Sequence, residues 1–554
     1  MAEMQNHHSS IDPRSGYCSS TQIYHNLRDN SSLPSPSIPL SLTDYAFSLL
    51  HSCPEFSPSS PVFIDAFSHL SLSYSTFINR VHSLSYSLSF SYPSLSYSKV
   101  ALILSPSSFH VPILYFSLLS LGVVISPANP LSTQSELTHI IQLAQPSVIF
   151  AVSSLSSKLT SFNLPVILLD SPKFDNMMSR DRVSRPPVSV KQSDTAVIMY
   201  SSGTTGRVKG VELTHRNFIV LLCGLRHQKL NSLEEEDKKG PAVSLFILPL
   251  FHVFGFFMML RAVSMAETLV LMPKFDFEKM LQTIEKYRVT YVPVSPPLVL
   301  ALANSDLVKK YDLSSLDFLG CGGAPLGKEV AQKFKTRFPN VEVAQGYGLT
   351  ETAGGVASTV GPEESERYGS VGRLREYTQA MIVDPSTGDA LPPGQKGELW
   401  LRAPTIMKGY VGDKEATAAT FYPDGWLKTG DLCYFDSDGY LYIVDRLKEL
   451  IKYKGYQVPP AELEHLLLSH PEIADAAVIP YPDEEAGQIP MAYIVRKPES
   501  SITASQVMDF VAKQVSPYKR IRRVAFVNII PKNPSGKILR RELVNQATTS
   551  PSKL

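Results

Sequence analysis

The chain has 554 residues, more than a single hydrophobic core supports, and its 44% apolar content is ordinary for a globular protein. Lys plus Arg number 52 and Asp plus Glu 51, a formal charge of +1, which gives no support for nucleic acid or an anionic membrane as the main partner. The five cysteines lie far apart with no C-x-x-C pair, which argues for a reducing compartment and against a disulfide framework or a cysteine zinc site.

Residues 1–44 are polar and rich in Ser and Pro, and their composition predicts a disordered leader without a secretory signal. Apolar periodicity follows. Val100 to Leu104, Val148 to Val152 and Val166 to Leu169 read as buried strands, with helical spacing over His110 to Leu121 and Thr133 to Leu143 between the first two. Strands alternating with helices predict an α/β fold of doubly wound, mainly parallel sheets.

The apolar run Thr195 to Met199 reads as another buried strand and leads into Tyr200-Ser201-Ser202-Gly203-Thr204-Thr205-Gly206-Arg207-Val208-Lys209-Gly210. Such a loop suits phosphates: glycines let backbone N–H groups approach, hydroxyls donate, and Lys209 neutralises charge. It is not a Walker A loop, whose lysine directly follows the second glycine, and a flexible surface turn has the same composition.

Ala242 to Leu260 runs 19 residues without Asp, Glu, Lys or Arg, but Pro249, His252 and Gly255 interrupt it. A buried strand followed by a buried helix is expected there rather than a membrane span. Phe277 to Tyr287 is amphipathic, Tyr291 to Val294 is extended, and Lys328 to Phe338 is a helix leading into Val341 to Gln345. From Gly388 the pattern turns to short β segments, including Gly397 to Arg402 and Tyr440 to Val444, which predicts a small β subdomain. Beyond Asp445 comes a compact α+β pattern: helices over Pro460 to Leu468 and Ala504 to Val515, strands over Ala476 to Ile479, Ala492 to Val495 and Val524 to Val527. The division expected is leader 1–44, N-terminal domain 45–445 and a small mobile C-terminal domain 446–554.

Further clusters could complement the glycine-rich stretch. In Gly346-Tyr347-Gly348-Leu349-Thr350-Glu351 the glycines permit close approach and Glu351 could hold magnesium against phosphates, although a turn with a solvated Glu fits equally. Thr429-Gly430-Asp431 sets a carboxylate beside a glycine, as a ribose-hydroxyl acceptor or a simple loop aspartate would. Asp445 to Gly455 concentrates cations around an apolar seam, and Asn533-Pro534-Ser535-Gly536-Lys537 is a tight turn presenting a lysine at a helix start.

Together and in this order, the clusters SSGTTGRVKG, GYGLTE, TGD, DRLKELIKYKGYQV and NPSGK resemble the adenylate-forming enzymes, and within them the plant 4-coumarate:CoA ligase-like group, over residues 45–554. The resemblance implies ATP, Mg2+ and CoA as cofactor and co-substrates and a small mobile C-terminal lid. It implies that Ser201, Ser202, Gly203, Thr204, Thr205 and Lys209 wrap the ATP phosphates and that Gln345, Gly346, Tyr347 and Thr350 line the adenine and acyl-adenylate site. Tyr347 would stack on the base, Glu351 would hold magnesium, and Asp431 and Arg446 would bind the ribose. Lys448, Lys452 and Gln457 would serve the adenylate, Lys454 and Gly455 with Lys274 would contact CoA, and Lys537 would bridge the substrate carboxylate and the α-phosphate.

His252, in the apolar run Leu248 to Met258, would by itself read as a core histidine; the resemblance implies that it orients the acid carboxylate. Phe254, Met258 and Gly323 would join it in a hydrophobic acid pocket, together with Gln345, Gly346 and Thr350. Departures limit the substrate. Phe254 stands where 4-coumarate ligases carry a tyrosine for the ring phenol, the His252 to Lys274 interval is slightly shorter, and Gly397-Glu398-Leu399-Trp400-Leu401-Arg402-Ala403 replaces a GEICIRG-type segment. Val208 replaces the usual proline of the phosphate loop. Ser552-Lys553-Leu554 has the form of the peroxisomal address, which implies an import receptor as partner and a fatty acid, a jasmonate-precursor-like oxylipin or a cinnamate as substrate. A 4-coumarate ligase proper, a luciferase-type monooxygenase and a catalytically silent binding protein are the alternatives.

Overall fold

The computed structural model describes residues 11–180, 186–202, 208–232, 242–454, 456–533 and 536–549. Four sheets organise them. The first has seven strands in the order Gly409–Tyr410, Val208–Thr214, Thr195–Ser202, Val124–Ala128, Val100–Leu104, Val148–Ala151, Val166–Leu168. From Thr195–Ser202 to Val166–Leu168 every pairing is parallel, and the near-continuous apolar strands are those of a sheet covered on both faces. Helix His110–Ser120 is buried along nearly its whole length, while Gln134–Ala144 starts at a Thr133 and Glu136 capping box.

The second sheet has nine strands and a parallel centre, running from Glu342–Leu349 through Phe318–Cys321, Tyr291–Val294, Val243–Phe246 and Thr268–Leu271 to Pro61–Asp65. Within it the long apolar run resolves into strand Val243–Phe246 and helix Val253–Ser264, and among the described residues no helix is long and apolar enough to cross a membrane.

The third sheet is antiparallel and corrects the expectation of a disordered leader over residues 1–44. From residue 11 onward that segment is built into the fold: strands Tyr17–Cys18 and Ile23–His25 extend the sheet of Gln379–Val383, Gly397–Arg402, Trp426–Phe435 and Leu441–Arg446. Tyr24 is fully buried and stacks on Phe435 at 4.2 Å, and Leu42–His51 is a helix capped by Ser41. The polar, Ser- and Pro-rich composition pointed to disorder, but the aromatic positions Tyr17 and Tyr24 suffice where a ready sheet edge supplies the rest of the core.

The fourth sheet comprises Ile451–Tyr453, Tyr456–Val458, Ile473–Asp483, Gly487–Arg496 and Arg523–Phe526. Its faces serve different cores. Ala476, Val478, Ala492 and Ile494 pack with Ile451, Val458 and Leu463, whereas Ala477, Ile479, Met491 and Tyr493 pack with Leu543 and Ala547.

Candidate active site

The glycine-rich stretch joins two paired strands: Thr195–Ser202 lies antiparallel to Val208–Thr214, with Ser202 opposite Val208. Gly203, Thr204 and Thr205, and the side chain of Ser202, lie outside the described residues. At the hairpin's base the Ser201 hydroxyl donates to Glu351 Oε1 at 3.2 Å, and the Tyr410 phenol donates to the same oxygen at 2.9 Å. Lys209 Nζ sits 4.4 Å from the centre of the Tyr410 ring. Burial, and then the Glu351 carboxylate, push the Tyr410 phenol upward, so it stays a donor. Tyr410 was not legible as a site residue. It reaches Glu351 only because strand Gly409–Tyr410 pairs with the returning arm of the hairpin.

Glu351 follows a strand that changes partners. Glu342–Leu349 runs parallel to Phe318–Cys321 up to Gln345, then antiparallel to Gly354–Ser358 from Gly346 onward. The change demands glycine at 348, where a Cβ would stand 1.7 Å from the Gly354 carbonyl oxygen. Gln345 is pinned through its backbone, its N–H donating to Thr359 Oγ1 at 3.0 Å and its carbonyl accepting from Thr359 N–H at 2.9 Å. The Tyr347 hydroxyl donates to Asp431 Oδ2 at 2.6 Å, and Arg446 Nε lies 3.4 Å from Asp431 Oδ1. Asp431 and Arg446 face each other as register partners of adjacent strands. Tyr347 and Arg446 line the cleft, while Asp431 lies buried behind them with its carboxyl pushed up by burial against the pull of Arg446.

Lys537 reaches this cleft from the C-terminal region. Its loop is closed by reciprocal bonds, Lys537 N–H to Asn533 Oδ1 at 2.9 Å and Asn533 N–H to Lys537 O at 2.9 Å. Burial, then the positive charge of Arg446, hold its ammonium down to about 8; Lys448 is lowered by the same causes in the same order. Among the described residues its ion-pair partner is Glu449, at 4.0 Å and already 3.0 Å from Arg540, which also pairs with Glu464 at 2.6 Å. Cations crowded together with their counter-charge engaged elsewhere make an anion site.

Lys452 and Gln457, expected at the adenylate, are not brought to the cleft. They face each other across a hairpin, are exposed, and line no part of it. The Ile451 and Val458 hairpin belongs to one core of the C-terminal sheet, whereas Ile538, beside Lys537, packs on the other. Lys454 is ion-paired with Glu485, and Gly455 lies outside the described residues. Lys274 is exposed and lines the cleft.

The cleft has a volume of about 2040 Å3 and continues along helix Val253–Ser264. His252 caps that helix, its Nδ1 accepting from the Phe254 N–H at 3.3 Å, and burial lowers its pKa, which leaves a neutral imidazole with its proton on Nε2. Phe254, Met258, Arg261 and Met265 follow at helical spacing and line the same space. Gly255 is required where the helix begins, because a Cβ there would lie 2.1 Å from the Pro249 carbonyl oxygen. The wall including Gly322 and Gly323 leaves room for the Phe254 ring, 3.6 Å from a Cβ built on Gly322. The expected acyl residues His252, Phe254, Met258, Gly323, Gln345, Gly346 and Thr350 therefore share one cavity with Ser201, Lys209 and Glu351. Among the described residues no group of three or more His, Cys, Asp or Glu is placed to hold a metal. Glu351 alone fits Mg2+ if phosphates and water complete its shell, the usual arrangement for this ion.

Residues 51–411 match the AMP-binding enzyme family, and residues 462–537 match the AMP-binding enzyme C-terminal domain. Among curated proteins, the chain is 56% identical to "4-coumarate--CoA ligase-like 9" of Arabidopsis thaliana over 97% of both chains. It is 44% identical to "Peroxisomal OPC-8:0-CoA ligase 1" of Arabidopsis thaliana over 99% of this chain and 100% of that one. Among solved structures, ATP-bound MatB from Rhodopseudomonas palustris superposes with a TM-score of 0.81 at 25% identity, covering 92% of this chain and 99% of that one. The o-succinylbenzoate CoA synthetase MenE from Bacillus subtilis, in complex with its acyl-adenylate, gives 0.76 at 25% identity over 90% and 97%.

Proposed function

The chain belongs to the AMP-binding enzyme family as an AMP-forming acid–CoA ligase, and we propose that it activates a fatty acid, a jasmonate-precursor-like oxylipin or a cinnamate-type acid in the peroxisome. The observation that carries the reading is the meeting of Lys537 and Arg446 with Tyr347, Glu351 and the Ser201 hairpin in one cleft that continues into an apolar pocket beside His252. A carboxylate is a poor electrophile, so its oxygen first attacks the α-phosphorus of ATP and expels pyrophosphate; the CoA thiol then attacks the acyl-AMP and expels AMP.

In the first step His252 Nε2–H orients the acid carboxylate, and Lys537, which among the described residues has no carboxylate closer than 4.0 Å, bridges it to the α-phosphate. Ser201 and Lys209 hold the triphosphate together with Ser202, Gly203, Thr204 and Thr205. Tyr347 and Thr350 hold the base, and Arg446, braced by Asp431, the ribose. Glu351 would hold Mg2+, which supplies Lewis-acid charge neutralisation at the phosphates. The exposed Lys452 and Gln457 face serves the second step after the C-terminal domain 446–554 turns, with Lys454, Gly455 and Lys274 toward CoA. The exposure of Lys452 and Gln457 away from the cleft that Lys537 lines supports this alternation.

The relative named for OPC-8:0 supports an oxylipin and a peroxisomal setting. Ser552-Lys553-Leu554 would address the import receptor, and a fluorescent fusion that reaches peroxisomes without this tripeptide would refute that part. A panel of fatty, oxylipin and cinnamic acids, assayed for acid-dependent pyrophosphate release and CoA-thioester formation, tests the activity. Thioester from none of them overturns the reading.

A further inference from the structure

Beyond Phe257 the wall of the acid pocket changes character. At ~1.5 Å of rise per residue, Arg261 lies about 13 Å along the helix axis from His252. There the lining includes Gln228, Arg261, Glu267 and Arg375, polar groups at the end of an otherwise apolar pocket. Most charges nearby are matched. Arg261 pairs with Glu267 at 2.8 Å, Lys229 with Glu55 at 3.6 Å and Arg28 with Glu364 at 2.7 Å, while Glu376 accepts from the Ser31 hydroxyl at 2.6 Å and its N–H at 3.2 Å.

Arg375 is different. Among the described residues it forms no ion pair, and its one side-chain bond is a long one, Nη2 to Gln228 Oε1 at 3.4 Å. Its guanidinium lies against the cleft wall at Gly355, where a Cβ would stand 3.3 Å from Nη1. Burial, then repulsion from Arg28 and Arg261 against the pull of the neighbouring Glu376 carboxylate, brings its pKa down to about 10, so it remains charged at neutral pH. This half-buried, charged fork lines the cleft with donors free to take a ligand oxygen in a charge-assisted hydrogen bond.

Taking the chain as an acid–CoA ligase, we propose that Arg375 is a specificity-determining residue that binds an oxygen at the end of the acid remote from the reacting carboxyl. The substrate class is then a carboxylic acid carrying a carbonyl or carboxylate oxygen at its far end rather than a plain hydrocarbon tail. The matched pair Arg261–Glu267 already has its partner, which leaves Arg375 as the donor.

The experiment compares the wild type with Arg375→Met, and with Arg375→Lys as a variant that keeps charge without the fork. The panel is three acids of equal length: an n-alkanoic acid, an acid with a keto group near its far end, and an α,ω-dicarboxylic acid. The wild type should prefer an oxygenated acid over the alkanoic acid by about 10-fold to 100-fold in kcat/KM. Preference for the keto acid assigns a carbonyl, and preference for the diacid assigns a carboxylate. In Arg375→Met the ratio should collapse toward unity, with Arg375→Lys between. Absence of the preference in the wild type, or its survival in Arg375→Met, overturns the proposal. Acid affinities from calorimetry carry the same comparison without turnover. Lack of pyrophosphate release with every acid would therefore overturn the ligase reading, and an unchanged affinity ratio would overturn the role of Arg375.

Discussion

Across 2.6 Å the Tyr347 hydroxyl donates to the Asp431 carboxylate, joining the partner-changing strand of the nine-stranded sheet to the antiparallel sheet. Burial raises the pKa of the phenol and keeps its proton in place for donation, while at Asp431 the same burial is opposed by Arg446, which meets the other carboxyl oxygen. Tyr347→Phe leaves the ring but strips a buried carboxylate of a donor. The expected cost is about 1 to 3 kcal/mol of unfolding free energy together with weaker ATP binding, measured by denaturant titration and calorimetry. Unchanged stability would mean that Arg446 alone holds Asp431.

Lys537 gives a pH dependence. With its pKa held at about 8, the ammonium is present below that value and lost above it. Adenylation measured as kcat/KM for ATP should therefore fall as pH rises through about 8, and Lys537→Arg should move that fall beyond the range in which the protein is folded. Stability moves oppositely. The folded state binds this proton less tightly than the unfolded chain, so the penalty present below about 8 is relieved between there and the ordinary lysine value of 10.5. Lys537→Ala should lower acid-dependent pyrophosphate release by about 100- to 1000-fold. Thioester formation from supplied acyl-AMP should survive it. Equal loss of both half-reactions would refute the division of labour between Lys537 and the Lys452 and Gln457 hairpin.

Glycines of one short segment should separate fold from function. At Gly348 a Cβ would collide with the Gly354 carbonyl at 1.7 Å, a contact between two backbones that no rotamer relieves. Gly348→Ala is expected to destabilise the chain by about 3 kcal/mol or more, or to prevent folding. At Gly346 a Cβ would meet only the Ala357 carbonyl oxygen, at an ordinary 3.6 Å, yet Gly346 lines the cleft. Gly346→Ala should keep the melting temperature while raising KM for ATP or for the acid. A melting temperature lowered as much as in Gly348→Ala would show that Gly346 is needed for the strand itself.

Much of this was readable from the residues, for identifiable reasons. Helix Pro460–Leu468 and strand Gly397–Arg402 lie where apolar spacing and turn residues put them, because their burial follows local period. Strand Ile473–Asp483 runs well past the expected Ala476 to Ile479, since pairing with Gly487–Arg496 carries polar and proline positions into the ladder. Tyr17 and Tyr24 were hidden by their Ser/Pro-rich surroundings, as the sheet edge that accepts them comes from strand Gln379–Val383. In the site, glycine and lysine clusters announced themselves. Tyr410 and Arg375 did not, because a lone tyrosine or arginine acquires its role only from the strand or helix placed against it.

Glu351 Oε1 accepts from Ser201 and Tyr410 at 3.2 and 2.9 Å, and Met407 N–H fixes the Glu351 carbonyl at 2.8 Å, so the side chain is positioned before any ligand arrives. Glu351→Gln preserves shape and hydrogen-bond acceptance but removes the charge. If Glu351 holds Mg2+, the variant should need about 10- to 100-fold more Mg2+ for half-maximal pyrophosphate release, with much of the rate recovered at saturating metal. If Glu351 serves only to anchor Ser201 and Tyr410, the Mg2+ requirement stays where it was, and Ser201→Ala and Tyr410→Phe reproduce the defect of Glu351→Gln. Titrating Mg2+ at fixed ATP in the four proteins decides between these roles, because charge at Glu351 governs the first and the two hydroxyl contacts govern the second.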